Sequence, residues 1–410
     1  MGDNVYLCIK SMSGTVRPGL MVQPREIAVG EKSIFDPAVT DEWKPDGADD
    51  RHCHLDRAYT WDEKYYGHEG GRSAFTDAPL RMKQDAVGKL HTGLAFTYES
   101  LWQRMEYVIC KKIAAHEKSL WAITDCSPDI GDRSFKIVLA LKKKYAKQID
   151  IKVGAYAIFG FKTFTGKERD RFELIEALAP KADFLVGLPE RDALPGHEDV
   201  GFGKHISVMV DLAIKHDIPL QMHLDQTGLP TENGTERFIE AIRWLVTDRY
   251  PVTKRPRIAA VHEVSPASYT EDRFGRLVKG HVENDIDFIL CGHAASSMRP
   301  MRNVNAPLHN LLARVFEMLL AGVHVGLGTD NIRDLFMPRP VSPLLVRELD
   351  HLASDLRFYD AGIFYKLLKG EPFNNGDLAI IKRWLDGNYA AWGTPQGADA
   401  FLAMNPAFQG

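Results

Sequence analysis

Cysteine is scarce in this chain and badly placed for pairing. The 410 residues include 5 cysteines (Cys8, Cys53, Cys110, Cys126 and Cys291), scattered and without a C-x-x-C. That pattern excludes a disulfide framework and predicts reduced thiols in a cytoplasmic protein. Charge of one sign is lacking too. A formal net charge of -4 leaves no electrostatic footprint for nucleic acid or an anionic membrane. There is no apolar run of about 18 residues, so no membrane-spanning segment is predicted. Residues 1–6 carry no basic stretch ahead of an apolar one, which predicts no signal peptide. Tyr6 stands where a myristoylation signal requires Ser or Thr. No H-x-E followed by P-C-x-x-C occurs, which excludes the small zinc deaminases of nucleic acids.

What is present is an ordinary globular composition, 45% hydrophobic and 26% charged. From residue 50 onward, short apolar runs alternate with longer amphipathic segments. Strands are expected at 52–56, 120–124, 149–158, 183–190, 219–223, 257–262, 287–293 and 323–330. Helices are expected over 90–118, 133–147, 168–179, 203–216, 235–247, 267–280 and 308–321, and over most of 345–392. Eight strands alternating with helices predict an α/β fold, a distorted (β/α)8 TIM barrel over 48–392. Residues 1–47 are rich in turn residues with short β-type runs, and 397–404 reads as one last strand. Segments 1–47 and 393–410 are therefore expected to form a small satellite β-sheet domain.

His52-Cys53-His54-Leu55-Asp56 is the stretch around which the chemistry gathers. Residues i and i+2 of a strand face the same way, so His52 and His54 project together. In such a barrel the reactive side chains collect at the C-terminal strand ends, however far apart in sequence. His223, His262 and Asp330 fall at the ends of the fifth, sixth and eighth expected strands. Imidazoles with a carboxylate suit zinc or iron, so a metal site is expected there.

His52-Cys53-His54-Leu55-Asp56, Met222-His223-Leu224-Asp225, Val261-His262 and Gly328-Thr329-Asp330-Asn331-Ile332-Arg333-Asp334, in that order, resemble the cytosine deaminase branch of the amidohydrolase superfamily. The resemblance runs from about residue 50 to 345. It implies one divalent metal ion, zinc first and iron second, held by His52, His54, His223 and Asp330. By the same match His262 would hydrogen-bond the attacking water and help move its proton, and Asp330 would receive that proton as general base. The 397–402 segment is similar to the family's closing strand. The activity implied is hydrolysis of a non-peptide C–N bond in a small, nitrogen-containing heterocycle. Relatives form homo-oligomers, for which no interface is legible here.

The chain also departs from that pattern. Relatives that deaminate cytosine carry a Glu three residues after the strand-five histidine, where this chain has Gln226. A neutral amide orients a substrate but does not shuttle protons. The strand-three glutamine that reads the pyrimidine ring aligns with Ile158. A pocket without these partners should reject cytosine. Glu190 is a candidate replacement as acid, base or extra ligand; a salt bridge to Arg191 or a solvated loop position is the alternative. Asp225 either points toward the ligands or holds a ligand histidine from behind. Asn331 and Phe336 match substrate-facing positions, though Phe336 fits a core equally. The 59–72 segment reads as a lid or a polar surface loop, and Arg72, Arg299 and Arg302 are candidates to hold a substrate carboxylate. Three readings compete: a deaminase of a small heterocycle other than cytosine, a hydrolase opening a cyclic amide or imide, and a metal-binding barrel without activity.

Overall fold

The computed structural model describes residues 46–66, 78–251, 254–296, 313–338, 341–392 and 397–409. Its centre is a closed barrel of eight parallel strands in sequential order, β1 to β8. They are β1 Asp49–His54, β2 Ser119–Asp125, β3 Asp150–Tyr156, β4 Phe184–Gly187, β5 Leu220–Leu224, β6 Ile258–His262, β7 Ile286–Leu290 and β8 Val325–Leu327. Strands such as Leu-Gln-Met-His-Leu and Ile-Ala-Ala-Val-His are buried at every position. A parallel strand covered on both faces requires this, since helices pack outside and neighbouring side chains fill the inside. The expected alternation is the observed architecture.

The outer layer contains α1 Leu80–Thr92, α2 Tyr98–Ala114, α3 Arg133–Tyr145, α4 Asp170–Leu178, α5 Gly201–His216, α6 Gly234–Ile242, α7 Glu271–Asn284 and α8 Val315–Leu320. The helix expected over 90–118 is instead two. Gly93 ends α1 in an extended conformation, and Thr97 caps α2 by accepting from the Ser100 amide. A side-chain oxygen satisfying an orphan amide is a strong start signal. After the barrel come α9 Val346–Leu356, α10 Ala361–Lys369 and α11 Asn375–Trp392.

The tail corrects one expectation. Residues 397–404 do not form a strand: Asp399–Leu402 is a short helix, α12, followed by a 3-10 turn at Pro406–Phe408. Ala398 and Phe401, three apart, are both buried, with the Phe401 ring 5.9 Å from that of Phe274. Helical spacing lets this segment seal α7 and α8, which a strand with alternating faces would not do. The other half of the expected satellite sheet lies in 1–45, outside the described residues.

The barrel closes where β1 meets β8. Asp330 donates its amide to the His52 carbonyl (2.7 Å), and His54 donates to the Asp330 carbonyl (2.8 Å). A Cβ on Gly328 would lie 2.5 Å from the His52 Cβ, so only glycine permits this crossing. The irregular pairing of β1 with β2, between Asp50 and Cys53, then turns both histidines inward at the barrel mouth.

Candidate metal centre

His52, His54, His223, His262 and Asp330 converge inside the C-terminal mouth, each nearly or fully buried. Nε2 of His223 lies 3.1 Å from Nε2 of His52 and 3.3 Å from Nε2 of His54. Asp330 Oδ1 is 3.2 Å from His54 Nε2, and Oδ2 is 3.9 Å from His262 Nε2. His262 therefore stands within ligand reach of the same cluster; its backbone, at φ 80, is in the left-handed region. A non-glycine residue held there is strained, a state found at functional sites.

The tautomers follow from the partners. His52 Nδ1 donates to the Gln221 side-chain oxygen (2.8 Å), and Gln221 is itself fixed by donating to the Arg51 carbonyl. His223 Nδ1 donates to the Gly187 carbonyl (3.3 Å). Carbonyl oxygens only accept, so both Nε2 atoms of these rings carry lone pairs, and those lone pairs face each other. Burial drives the His52 imidazole down to about 4 and holds His54, His223 and His262 well below the usual histidine range. The rings are neutral at physiological pH, which is the form that ligates metal. Burial also lifts the Asp330 carboxyl to about 8, and its Oδ1 has no hydrogen-bond partner among the described residues. Opposed lone pairs beside a carboxyl oxygen that has no hydrogen-bond partner among the described residues are what a bound cation would satisfy. The donor set, imidazole nitrogens with a carboxylate oxygen, suits a divalent ion.

The other expected residues divide. Glu190 does not pair with Arg191, which holds Asp85, and is half-buried. It accepts from the Asp225 amide (2.7 Å) and from the Gln226 side chain (3.3 Å). Desolvation, then the Glu232 and Asp225 carboxylates, push its carboxyl well above the ordinary range. A carboxyl thus stands beside Gln226, supplied from the end of β4 rather than β5. Asp225 turns away from the histidines and caps α6, accepting from the Gly234 and Thr235 amides. Ile158 lies just beyond β3 and is buried, 1% exposed. The side chain from that strand end beside the ligands is Tyr156, its ring centroid 5.0 Å from that of His223 and 5.3 Å from that of His54. Phe336 covers the guanidinium of Arg57 at 4.8 Å. Asn331 is buried, and its side-chain oxygen has no partner among the described residues. Arg72, Arg299 and Arg302, and most of the expected lid, lie outside the described residues.

Reasoning from sequence missed Arg57, Asp125, Tyr156 and Cys291. Cys291 ends β7 within ligand distance of His262 and Asp330. Position at a strand end was the available signal for Asp125, Tyr156 and Cys291; their residue types do not announce a role.

No family model matches this chain, and no curated protein does. Solved structures do match. A 5-methylcytosine deaminase from Klebsiella pneumoniae, liganded with 5-fluorocytosine, superposes with a TM-score of 0.65 at 20% identity, covering 83% of this chain and 75% of that one. N-isopropylammelide isopropylaminohydrolase from Burkholderia multivorans gives 0.54 at 17% identity, covering 86% and 77%. At such identities the likeness establishes the barrel fold.

Proposed function

We propose that the chain is a metal-dependent amidohydrolase of the cytosine deaminase-like branch. Its reaction would hydrolyse a non-peptide C–N bond in a small nitrogen heterocycle other than cytosine. The observation that carries this reading is the opposed Nε2 pair of His52 and His223 beside the unpartnered Asp330 oxygen. The likeness to a deaminase and to an isopropylaminohydrolase, proteins that release nitrogen from heterocycles by their names, supports it.

His52, His54, His223 and Asp330 would hold one divalent ion, zinc in first place. Such an ion supplies Lewis acidity that activates water and polarises the carbon under attack. Asp330, buried and lifted toward neutrality, would take up the water's proton. His262, 3.9 Å from Asp330, would orient the water and relay that proton. Glu190, whose carboxyl is pushed well above the ordinary range by desolvation and two neighbouring carboxylates, would return a proton to the departing nitrogen, with Gln226 fixing its orientation. A carboxyl raised in this way is suited to such transfer. This arrangement compensates for the neutral Gln226. Ring opening of a cyclic amide uses the same groups and differs only in whether the nitrogen leaves.

The test is a panel of heterocycles and cyclic amides given to zinc-loaded protein, scoring ammonia release against ring opening. Turnover of one class assigns the reaction. Stoichiometric metal without turnover of either class refutes the enzyme reading.

A further inference from the structure

Beside the metal cluster lies a second group of buried polar atoms that the fold leaves unpaired. Arg57, three residues after His54, is 2% exposed. Its Nε and Nη1 have no hydrogen-bond partner among the described residues, and neither have Asp56 Oδ1, Asp125 Oδ1 and Asp334 Oδ2. The closest approaches of the guanidinium to Asp125 and Asp334 are both 3.9 Å, beyond a direct hydrogen bond. Buried polar atoms are nearly always paired, so five orphans around one guanidinium call for a ligand or ordered water. The group borders the ligands along the chain: Arg57 follows His54 by three residues, and Asp334 follows Asp330 by four. The loops that carry it are laced together, with Tyr59 donating to the Ile332 carbonyl and Trp61 to the Arg333 carbonyl.

We propose that Arg57, Asp125 and Asp334, with Phe336 as platform, form a substrate subsite that reads a neutral planar edge carrying a carbonyl oxygen next to an N–H. Arg57 donates to the carbonyl. Asp125 or Asp334 accepts from the N–H. Phe336, already under the guanidinium, gives a flat ligand an apolar face. The class is the ureide or imide edge of a small ring. A free carboxylate is disfavoured, because Asp56, Asp125 and Asp334 already surround the one guanidinium. A cationic ligand would meet Arg57. The inference rests on the hydrolase reading only for what happens next to the subsite, and recognition itself requires no metal.

Metal-free protein therefore provides the test, by calorimetric binding of hydantoin, 1,3-dimethylhydantoin and malonate. Hydantoin is expected to bind at least about ten-fold more tightly than the other two, because each of them leaves a buried partner unmatched. Arg57→Lys, which keeps the charge and loses the planar fork, is expected to abolish that preference. If Arg57→Lys does not fold, the ligand pair on the wild-type chain decides alone. Equal binding of hydantoin and its dimethyl derivative, or no hydantoin binding at millimolar concentration, overturns the subsite. A chain that prefers hydantoin but takes up no metal keeps the subsite and loses the hydrolase reading; a metal-binding chain without the preference does the reverse.

Discussion

Two kinds of buried charge occur in this barrel. Lys112 is saturated, donating to Asp50 at 2.7 Å and to Glu117 at 2.9 Å. Asp50 in turn accepts from the Thr329 amide and hydroxyl, and Glu117 accepts from the Leu345 amide. Arg104 gives its protons to the Asp56, Ala58 and Ala95 carbonyls and the Ser100 hydroxyl. Arg347 binds the Thr329, Asn331 and Ser342 carbonyls and Glu348. These cations tie loops to strands, and every one of their side-chain nitrogens has a partner. Arg57 and the His52–Asp330 cluster are as deeply buried, yet among the described residues they keep unpartnered donors, unpartnered acceptors and opposed lone pairs. Folding alone satisfies the first kind. The second keeps unpaired polar atoms among the described residues, as the proposed metal centre and substrate subsite require.

The comparison can be broken at several points, beginning with the largest effect. Asp330→Asn should cost at least about 10⁴-fold in turnover, a fraction of the acceleration enzymes supply, while the apo protein melts near the wild-type temperature. Unchanged rates with any substrate that turns over would remove Asp330 from the chemistry. Glu190→Gln should retain metal and fold but lose about 10²–10⁴-fold in kcat, the usual worth of a placed acid. Steady-state kinetics beside metal analysis checks this, and a loss confined to KM would point to positioning instead.

Lys112→Met tests the saturated side. Leaving Asp50 and Glu117 buried without their cation should cost about 3–5 kcal/mol, read from denaturant unfolding. A loss below about 1 kcal/mol would place Lys112 with the surface pairs. A smaller effect belongs to His91, whose two ring nitrogens face Asp125 and Asp129 at 3.1 and 2.9 Å. Burial opposes its protonation, but the two carboxylates outweigh it and raise the imidazole to about 9. Its folded value exceeds its unfolded value of about 6.5. The stability it contributes is therefore full below pH 6.5 and is lost as pH rises through 9. Melting curves of wild type and His91→Gln should diverge at pH 6 and converge near pH 10; parallel curves would contradict the pairing.

The barrel and the histidine–aspartate cluster at its mouth were legible because both are written in short-range pattern. Apolar runs alternating with helical periodicity give the eight strands, and residue position on a strand gives His52, His54, His223 and Asp330. The tail helix was not legible: Ala398, Asp399, Ala400 and Phe401 are too short a run to show a helical period, and only contact with α7 and α8 settles them as helix. Glu190 was visible as a strand-end acid, but its role beside Gln226 depends on two strands meeting. Arg57 was hidden for a different reason. An arginine in a polar run reads as surface, and its burial comes from Asp125, Asp334 and Phe336, all far away in the chain.

The central claim is that the opposed imidazoles form a metal centre. Titration of metal-free protein with Co²⁺, followed by its visible absorption, tests it most directly. The account predicts one ion per chain in wild type and in Lys112→Met that remains folded, and loss of that ion in His223→Ala. Binding by His223→Ala with wild-type stoichiometry and spectrum would contradict it.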